Sequence, residues 1–327
     1  MPLLDFPRAE LEAYRPDVRE PADFDAFWQR TLAEAATHPL DARFDPVADP
    51  IYRGVDVCDV TYRGWGGDPI RAWLILPAGV TGRRPCLITF VGYGGGRGLP
   101  VDHLAPATAG YAHFVMDTRG QGATWSPGDT PDPVGGGPQH PGFMTRGIES
   151  PDTYYYRRVF TDAVRALEAA AAHPHVDPAR LGVMGSSQGG GIALATAALA
   201  ADRVRLLAAD VPFLCDFRRA VAITPQGPYP EIAAFLKAFP HLYDQAFKTL
   251  SYCDNLNLAP WIKCRTIVLN CLWDAICPPS TIFGVYNHMT ADKRIEVYPF
   301  HGHEVPYEHA EARFAALMEL AGGPAAR

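Results

Sequence analysis

LGVMGSSQGGG, residues 181–191, is the stretch of sequence that decides the fold. Its apolar start and the alanine-rich run that follows it predict a strand, a sharp turn and a helix. Within it, Gly185-Ser186-Ser187-Gln188-Gly189 matches G-x-S-x-G, a turn that exposes the hydroxyl of its central serine at the end of a strand. Ser186 is in the wrong register, because the residues two positions away are Met184 and Gln188. We therefore predict Ser187 as a nucleophile.

Short apolar runs alternate with helical stretches on both sides of this segment. This alternation predicts βαβ units and a mainly parallel sheet, and strands that are apolar on both faces require helices on both sides of it. The predicted strands are Cys86–Val91, His113–Met116, Leu181–Met184, Leu206–Ala209, Thr266–Leu272 and Arg294–Tyr298. The predicted helices are 153–172, 188–200, 279–289 and 306–320.

The remaining segments complete a single predicted domain over residues 1–327. Residues 1–50 form an N-terminal extension, with an amphipathic helix at 22–37. Val55–Tyr62 and Ile70–Leu76 predict an antiparallel hairpin, because a glycine-rich turn separates them. Residues 213–262 are rich in aromatic side chains and fit no single crossover, so we expect a helical cap insertion.

A serine nucleophile needs a base, and the base needs an acid that orients it. On sheets with such a turn, the chain order is serine, acid, histidine. Asp274 follows the predicted strand Thr266–Leu272, and His303 follows the next one, which places both at the same sheet edge as Ser187. The alternatives for the acid are Asp210, which also ends a strand, Asp254 in the cap, and Asp292 at the opposite edge. His301 is the rival base, whereas histidines such as His38, His173 and His309 are interpreted as solvated.

A glycine-rich loop after the predicted strand Cys86–Val91 favours an oxyanion hole, which needs two backbone N–H groups. We expect one from Gln188, the residue after the nucleophile, and the other from Tyr93 in Gly92–Gly96. Dinucleotide binding is a rival interpretation of this loop. It fails because G-x-G-x-x-G is broken in both registers, by Arg97 or by Leu99.

Composition excludes several classes of protein. With 48% hydrophobic and 20% charged residues, the chain is expected to fold around a large core. A net charge of −7 and the lack of dense Lys/Arg runs argue against a nucleic-acid partner. We expect no membrane span, because no apolar run is long enough. The seven cysteines form no C-x-x-C pair, so zinc is not expected. Several lie in apolar runs, as buried free thiols do, and the amino terminus shows no apolar signal region, so the reducing cytoplasm is the predicted location.

Three short motifs resemble those of carbohydrate esterase family seven, the acetyl xylan esterases and cephalosporin C deacetylases. They are Arg119-Gly120-Gln121, the 185–189 pentapeptide and His303-Glu304. Longer segments are similar as well, among them FVMDTRGQG, PGFMTRGI, TYYYRRVFTDAVRA, DVPFLCDFRRA and ICPPST. The resemblance spans nearly the whole chain, and it implies the α/β-hydrolase fold.

The resemblance also implies roles for individual residues. Ser187, Asp274 and His303 would form the catalytic triad, since the family's histidine directly precedes the glutamate. The backbone amides of Tyr93 and Gln188 would form the oxyanion hole, with Arg119 and Gln121 as scaffold residues. The implied activity is removal of acetyl groups from short acetylated xylo-oligosaccharides and small acetate esters, cephalosporin C included. No metal or organic cofactor is expected, and the implied assembly is a homo-hexamer with active sites facing an internal cavity.

Two other functions stay open at this point. A hydrolase for another small acyl group or a peptide would share the triad and differ in its pocket. A non-catalytic binding protein on the same fold is the second alternative, although every triad position is filled.

Overall fold

The structure is a computed structural model that describes residues 5–137 and 139–320. Its strands form one sheet, with β5 and β4 exchanged relative to chain order: β1-β2-β3-β5-β4-β6-β7-β8-β9. The strands are β1 (Arg43–Pro46), β2 (Val55–Arg63), β3 (Pro69–Pro77), β4 (Arg84–Phe90), β5 (Ala112–Met116), β6 (Val176–Ser186), β7 (Val204–Asp210), β8 (Arg265–Cys271) and β9 (Lys293–Tyr298).

Eleven α-helices are found in the described ranges. They are α1 (Arg8–Ala13), α2 (Phe24–Ala36), α3 (Ala105–Thr108), α4 (Tyr155–Ala172), α5 (Gln188–Leu199), α6 (Phe217–Ile223), α7 (Tyr229–Ala238), α8 (Tyr243–Ser251), α9 (Asn255–Leu258), α10 (Pro279–His288) and α11 (Tyr307–Leu320). None of those helices has the length and the apolar character that crossing a bilayer requires.

The direction of the strands explains where a site can form. β4 to β9 pair in parallel, whereas β1, β2 and β3 are antiparallel additions at one side of the sheet. The carboxyl ends of β4, β6, β7, β8 and β9 therefore meet at one edge. Ligands of open α/β sheets bind at this edge, where the strand order reverses.

Alternate residues of the central strands pack against helices on opposite faces of the sheet. In β6 and β7, Val183 and Leu207 belong to the larger core with α4 and α5. Met184 and Leu206 belong to a second core with Leu317 of α11. Burial of both faces requires apolar residues at both registers, which confirms the predicted mainly parallel sheet with helices on both sides.

The segment between β7 and β8 is helical, as predicted for a cap, and consists of α6 to α9 with short 3-10 turns. The amino-terminal segment packs beside it. The Asp5 carboxylate accepts hydrogen bonds from Arg219 Nη2 and from the Ser280 N–H, each at 2.7 Å. These contacts fix the N-terminal segment to both α6 and α10.

Candidate active site

Ser187 occupies a tight turn between β6 and α5. Its backbone has φ 54° and ψ −121°, a left-handed conformation that costs a non-glycine residue of order 1–3 kcal/mol. The Ser187 N–H donates to the Asp210 carbonyl at 2.9 Å, and its own carbonyl accepts the Phe213 N–H at 2.9 Å. These bonds hold the strained turn, which presents the Ser187 hydroxyl at the carboxyl edge of the sheet.

Two glycines make this turn sterically possible. A Cβ on Gly185 would lie 2.3 Å from the carbonyl carbon of Gly189. A Cβ on Gly189 would lie 2.1 Å from the carbonyl oxygen of Phe90, at the end of β4. The G-x-S-x-G spacing therefore reflects close backbone approach on both sides of the serine.

A continuous hydrogen-bonded chain connects Ser187, His303 and Asp274. His303 Nε2 lies 2.8 Å from Ser187 Oγ, and His303 Nδ1 lies 2.8 Å from Asp274 Oδ2. An ionised carboxylate can only accept, so Nδ1 carries the proton and Nε2 is free to accept the serine proton. This is the arrangement that activates a serine hydroxyl as a nucleophile.

Asp274 is fully buried, and its second oxygen is fixed by the main chain. Oδ1 accepts the N–H groups of Ile276 at 2.9 Å and of Cys277 at 2.8 Å. These two bonds direct Oδ2 towards His303. The loop after β8 thus sets the orientation of the imidazole through the carboxylate.

The rival acids Asp254 and Asp292 and the rival base His301 have other neighbours. Asp254 caps α9 and accepts backbone N–H groups from Asp216 and Phe217, away from His303. Asp292 precedes β9 at the opposite edge of the sheet. The His301 ring packs edge-on against Tyr298, with centroids 5.5 Å apart, so it does not face Ser187.

Asp210 belongs to a second buried cluster beside the turn. Its carboxylate pairs with His309 Nε2 at 2.9 Å and with Arg313 Nη1. The interpretation of His309 as a solvated residue is therefore wrong, since its side chain is fully buried. Its immediate neighbours in the sequence of α11 are mostly polar, and the residues that enclose it are distant in sequence: Asp210 at the end of β7, and Tyr298 of β9, whose ring packs edge-on with centroids 6.0 Å apart. No local sequence signal could have revealed these contacts.

The glycine-rich loop after β4 lies next to the serine. Tyr93 borders the same cavity as Ser187 and His303, and Gln188 begins α5 directly after the serine. In the part of the chain that the structure describes, no hydrogen bond uses the backbone N–H of either residue. The Gln188 N–H at the start of α5 and the Tyr93 N–H in the loop beside the nucleophile suit an anion that develops during reaction.

The side chains of Gln121 and Gln188 join this loop to the start of α5. Gln188 Nε2 donates to the Val91 carbonyl at 3.1 Å. Gln121 Oε1 accepts the Gly94 N–H at 2.7 Å, and Gln121 Nε2 donates to Gln188 Oε1 at 2.9 Å. Both glutamines are fully buried, so these bonds are sheltered from competing water.

Arg119, three residues from the end of β5, lies outside the site and is fully buried. It forms an ion pair with Asp162 of α4 at 2.6 Å and with Asp68, in the turn between β2 and β3, at 2.9 Å. Arg119 thus links the hairpin to α4, a contact that supports the fold around the loop.

A cavity of about 810 Å³ surrounds the serine. Cap residues form part of its wall, and residues at the carboxyl edge of the sheet form most of the rest. Representative lining residues are Gly92, Trp125, Glu231, Ile276, Val305 and Arg313. The wall is largely apolar with a few polar groups, which is typical of small-molecule sites.

Asp274, Cys277 and His303 could be considered as metal ligands, because their ligand atoms lie within 4.8 Å of one another. Asp274 and His303 are already joined by a hydrogen bond, and burial raises the pKa of the Cys277 thiol well above its usual value, with Asp274 adding to the effect. A protonated thiol is a poor metal ligand. The donor set therefore fits acid–base chemistry better than metal binding.

Comparison with known proteins places this chain in a family. A family model described as acetyl xylan esterase (AXE1) matches residues 1–319. Acetyl esterase Axe7A of Xylanibacter ruminicola is 27% identical over 310 residues, which is 94% of this chain and 69% of that protein.

Solved structures agree in fold and in sequence. The acetyl xylan esterase from Paenibacillus sp. R4 is 39% identical with a TM-score of 0.90, and the match covers 96% of this chain and 99% of that one. Acetyl xylan esterase 1 from Thermoanaerobacterium sp. JW/SL YS485 is 34% identical with a TM-score of 0.87, over 97% and 99% of the two chains. Puromycin hydrolase, at 17% identity and a TM-score of 0.59, shares the α/β-hydrolase fold alone. The chain therefore belongs to the acetyl xylan esterase family, carbohydrate esterase family seven, whose members are carboxylic ester hydrolases.

Proposed function

We propose that this chain is a serine esterase that removes acetyl groups from short acetylated xylo-oligosaccharides and from small acetate esters, including cephalosporin C. The observation that carries the proposal is the hydrogen-bonded chain from Asp274 through His303 to Ser187, with both donor–acceptor distances at 2.8 Å. Its placement on a strained turn beside an apolar cavity, together with family membership, supports the same activity.

In the first half of the reaction, Ser187 Oγ attacks the acetyl carbonyl carbon while His303 Nε2 takes the hydroxyl proton. The carbonyl oxygen becomes an oxyanion that accepts hydrogen bonds from the N–H groups of Tyr93 and Gln188. The tetrahedral intermediate collapses as the bond to the alcohol oxygen breaks, and protonated His303 gives its proton to that oxygen.

In the second half, a water molecule gives a proton to His303 Nε2 and attacks the acetyl-enzyme. A second oxyanion forms in the same place, the bond to Ser187 Oγ breaks, and His303 returns the proton to the serine. Asp274 stays ionised throughout and stabilises the imidazolium that forms twice per turnover. The products are acetate and the free alcohol.

Replacing Ser187 by alanine tests this proposal. Ser187→Ala should lower kcat for 4-nitrophenyl acetate by about 10⁴-fold or more, because the variant lacks the attacking oxygen. Its thermal unfolding should match that of the native chain, and a fluorophosphonate should label only the native chain. Wild-type turnover by a folded Ser187→Ala protein would refute the mechanism.

The acyl group and the alcohol are tested separately. Aryl esters from acetate to octanoate should show a steep fall in kcat/KM after propionate, whereas a flat series or a maximum at longer chains would indicate a hydrolase for another acyl group. Acetylated xylo-oligosaccharides and cephalosporin C, compared by acetate release, then rank the two proposed substrate types.

The proposal extends to assembly through the family resemblance, and to location through the cysteine pattern of the sequence. A homo-hexamer whose active sites face an internal cavity would favour short substrates, and the cytoplasm is the proposed location. Sedimentation velocity of the full chain tests the assembly, since a monomer at assay concentration would contradict it.

A further inference from the structure

The phenol of Tyr93 is held by the cap as well as by the loop that carries it. Its hydroxyl lies 2.7 and 2.8 Å from the two carboxylate oxygens of Glu231, a residue of α7. The same oxygen accepts the N–H groups of Gly142 at 3.2 Å and of Phe143 at 2.9 Å. Because both lone pairs of the phenol are used, its proton is directed to Glu231.

The Glu231 carboxylate is itself anchored. It lies in the wall of the cavity, and its Oε2 also accepts the Met144 N–H at 3.2 Å. Burial raises the pKa of Glu231, and burial together with the Glu231 charge raises the pKa of the Tyr93 phenol. The phenol therefore keeps its proton, and the bond is a charge-assisted one.

We propose that Glu231 is a positioning residue for acetyl transfer: through the Tyr93 hydroxyl it holds the loop 92–96 so that the Tyr93 N–H faces the developing oxyanion. This inference rests on the proposed function, because it assigns that N–H to the oxyanion hole. Glu231 touches neither the nucleophile nor the reacting carbonyl. It acts through Tyr93.

The other anchors of the loop explain why the cap contact matters. Trp125 Nε1 donates to the Tyr93 carbonyl at 2.9 Å, and Gln121 Oε1 accepts the Gly94 N–H at 2.7 Å. Both bonds fix the backbone on the carboxyl side of the Tyr93 Cα. The hydrogen bond from the Tyr93 side chain to Glu231 limits rotation of the peptide group on the amino side of the Tyr93 Cα. That peptide group carries the N–H that is proposed as an oxyanion donor.

The consequence for kinetics is specific. The oxyanion exists only near the transition states, and both acetylation and deacetylation pass through one. Loss of the Glu231 contact should therefore lower kcat and leave KM nearly unchanged. A residue that only bound substrate would show the opposite pattern, with KM raised and kcat retained.

The experiment compares Glu231→Ala, Glu231→Gln and Tyr93→Phe with the native chain on 4-nitrophenyl acetate. Complete loss of an oxyanion donor costs about 10²–10³ in kcat, so a misplaced donor in Glu231→Ala should cost about 10- to 100-fold. KM should stay within about twofold. Glu231→Gln should recover much of the rate, because its amide oxygen can still accept the Tyr93 hydroxyl.

Two further variants make the test sharper. Asp244→Asn changes an exposed acid of α8 in the same cap and should leave kcat at the native value. Glu231→Ala combined with Tyr93→Phe should be no worse than the stronger single variant, because both remove the same contact.

Three results would overturn the inference: native kcat in Glu231→Ala, a raised KM with unchanged kcat, or additive losses in the double variant. If Glu231→Ala does not fold, Tyr93→Phe and Glu231→Gln decide, since Tyr93→Phe keeps the ring and should still lower kcat. Full activity of Ser187→Ala would instead refute the proposed function, whatever the Glu231 variants do.

Discussion

At the residue scale, the hydrogen-bonding pattern of the Asp274 carboxylate decides which ring nitrogen of His303 carries the proton. One oxygen is occupied by two backbone N–H groups, and the other faces the imidazole. A carboxylate accepts at both positions, whereas an amide accepts at one and donates at the other. The chemistry of the base therefore depends on a single atom of this side chain.

Asp274→Asn should lower kcat by about 10⁴-fold, because the amide oxygen takes the backbone bonds and the NH₂ group faces His303 Nδ1. Nδ1 must then accept a hydrogen bond, so the imidazole proton lies on Nε2. A protonated Nε2 cannot accept the hydroxyl proton of Ser187. The measurement is kcat on an aryl acetate beside a thermal melt, and the fold should persist because the shape is kept. A variant within tenfold of the native rate would show that another acid orients His303.

Local sequence was sufficient for some of these residues and insufficient for others. The place of Ser187 on a turn between a strand and a helix could be predicted, because its neighbours carry the signal within five positions. His301 and His303 could not be separated by spacing, because both follow β9 and only the conformation of the loop decides which one faces the serine. The contact of Glu231 with Tyr93 has no local signal, since the two residues lie far apart in the sequence.

At the element scale, the predicted strands of the parallel sheet are confirmed with small shifts at their ends. β6 begins at Val176, whereas the prediction began at Leu181, because residues 177–180 are exposed or only partly buried and form no apolar run. β1 (Arg43–Pro46) was missed, since its four residues are largely exposed and show no apolar run. The sheet order in which β5 pairs with β3 also depends on long-range contacts that no periodicity encodes.

The contact between β4 and the start of α5 leaves no room for a side chain. Gly189→Ala would place a methyl group 2.1 Å from the Phe90 carbonyl oxygen, so the two elements must separate. We expect about 1–3 kcal/mol of destabilisation together with a lower kcat, because the same shift moves the turn and the loop. Urea denaturation and aryl acetate turnover measure the two effects.

Gly54→Ala is the matched control, since a Cβ there would meet no atom within 4 Å. It should leave both the free energy of unfolding and kcat near the native values. If Gly189→Ala behaved like this control, the close approach would have no role in the site.

Asp254, which joins α9 to α6, is expected to make the stability of the protein depend on pH. Burial, with the nearby Asp216 charge, raises its pKa to about 7, whereas the ordinary value is 3.8. The folded protein thus holds a proton at a pH where the unfolded chain has released it. The stabilising contribution is complete below about pH 4 and is lost as the pH rises through about 7.

Asp254→Asn removes this titration. The free energy of unfolding of the native chain minus that of the variant should fall between about pH 4 and 7 and then stay constant. Urea denaturation at a series of pH values gives the difference directly. A difference that is the same at every pH would contradict the raised pKa.

At the scale of the whole molecule, Arg119 holds separate segments together. Its guanidinium contacts Asp162 of α4 and Asp68 of the hairpin turn, and the side chain is fully buried. Arg119→Met should destabilise the protein by about 3–5 kcal/mol, because it leaves the buried Asp162 carboxylate without its counter-charge. The check is the free energy of unfolding from urea denaturation.

Arg30→Met offers a control at an exposed ion pair with Asp152, where we expect less than about 1 kcal/mol. Equal effects of the two substitutions would mean that the burial of Arg119 adds nothing to the free energy of unfolding. The prediction concerns stability first, and any loss of activity in Arg119→Met should follow the unfolded fraction.

Trp125 provides a fluorescent reporter for the loop 92–96, which it contacts. The indole is 64% exposed, borders the cavity and donates to the Tyr93 carbonyl. Its emission should therefore change when a ligand enters beside Ser187 and displaces water from the ring. In a Ser187→Ala background, titration of an unlabelled acetylated oligosaccharide would then read binding without turnover, and the same titration with Trp125→Phe would assign the signal.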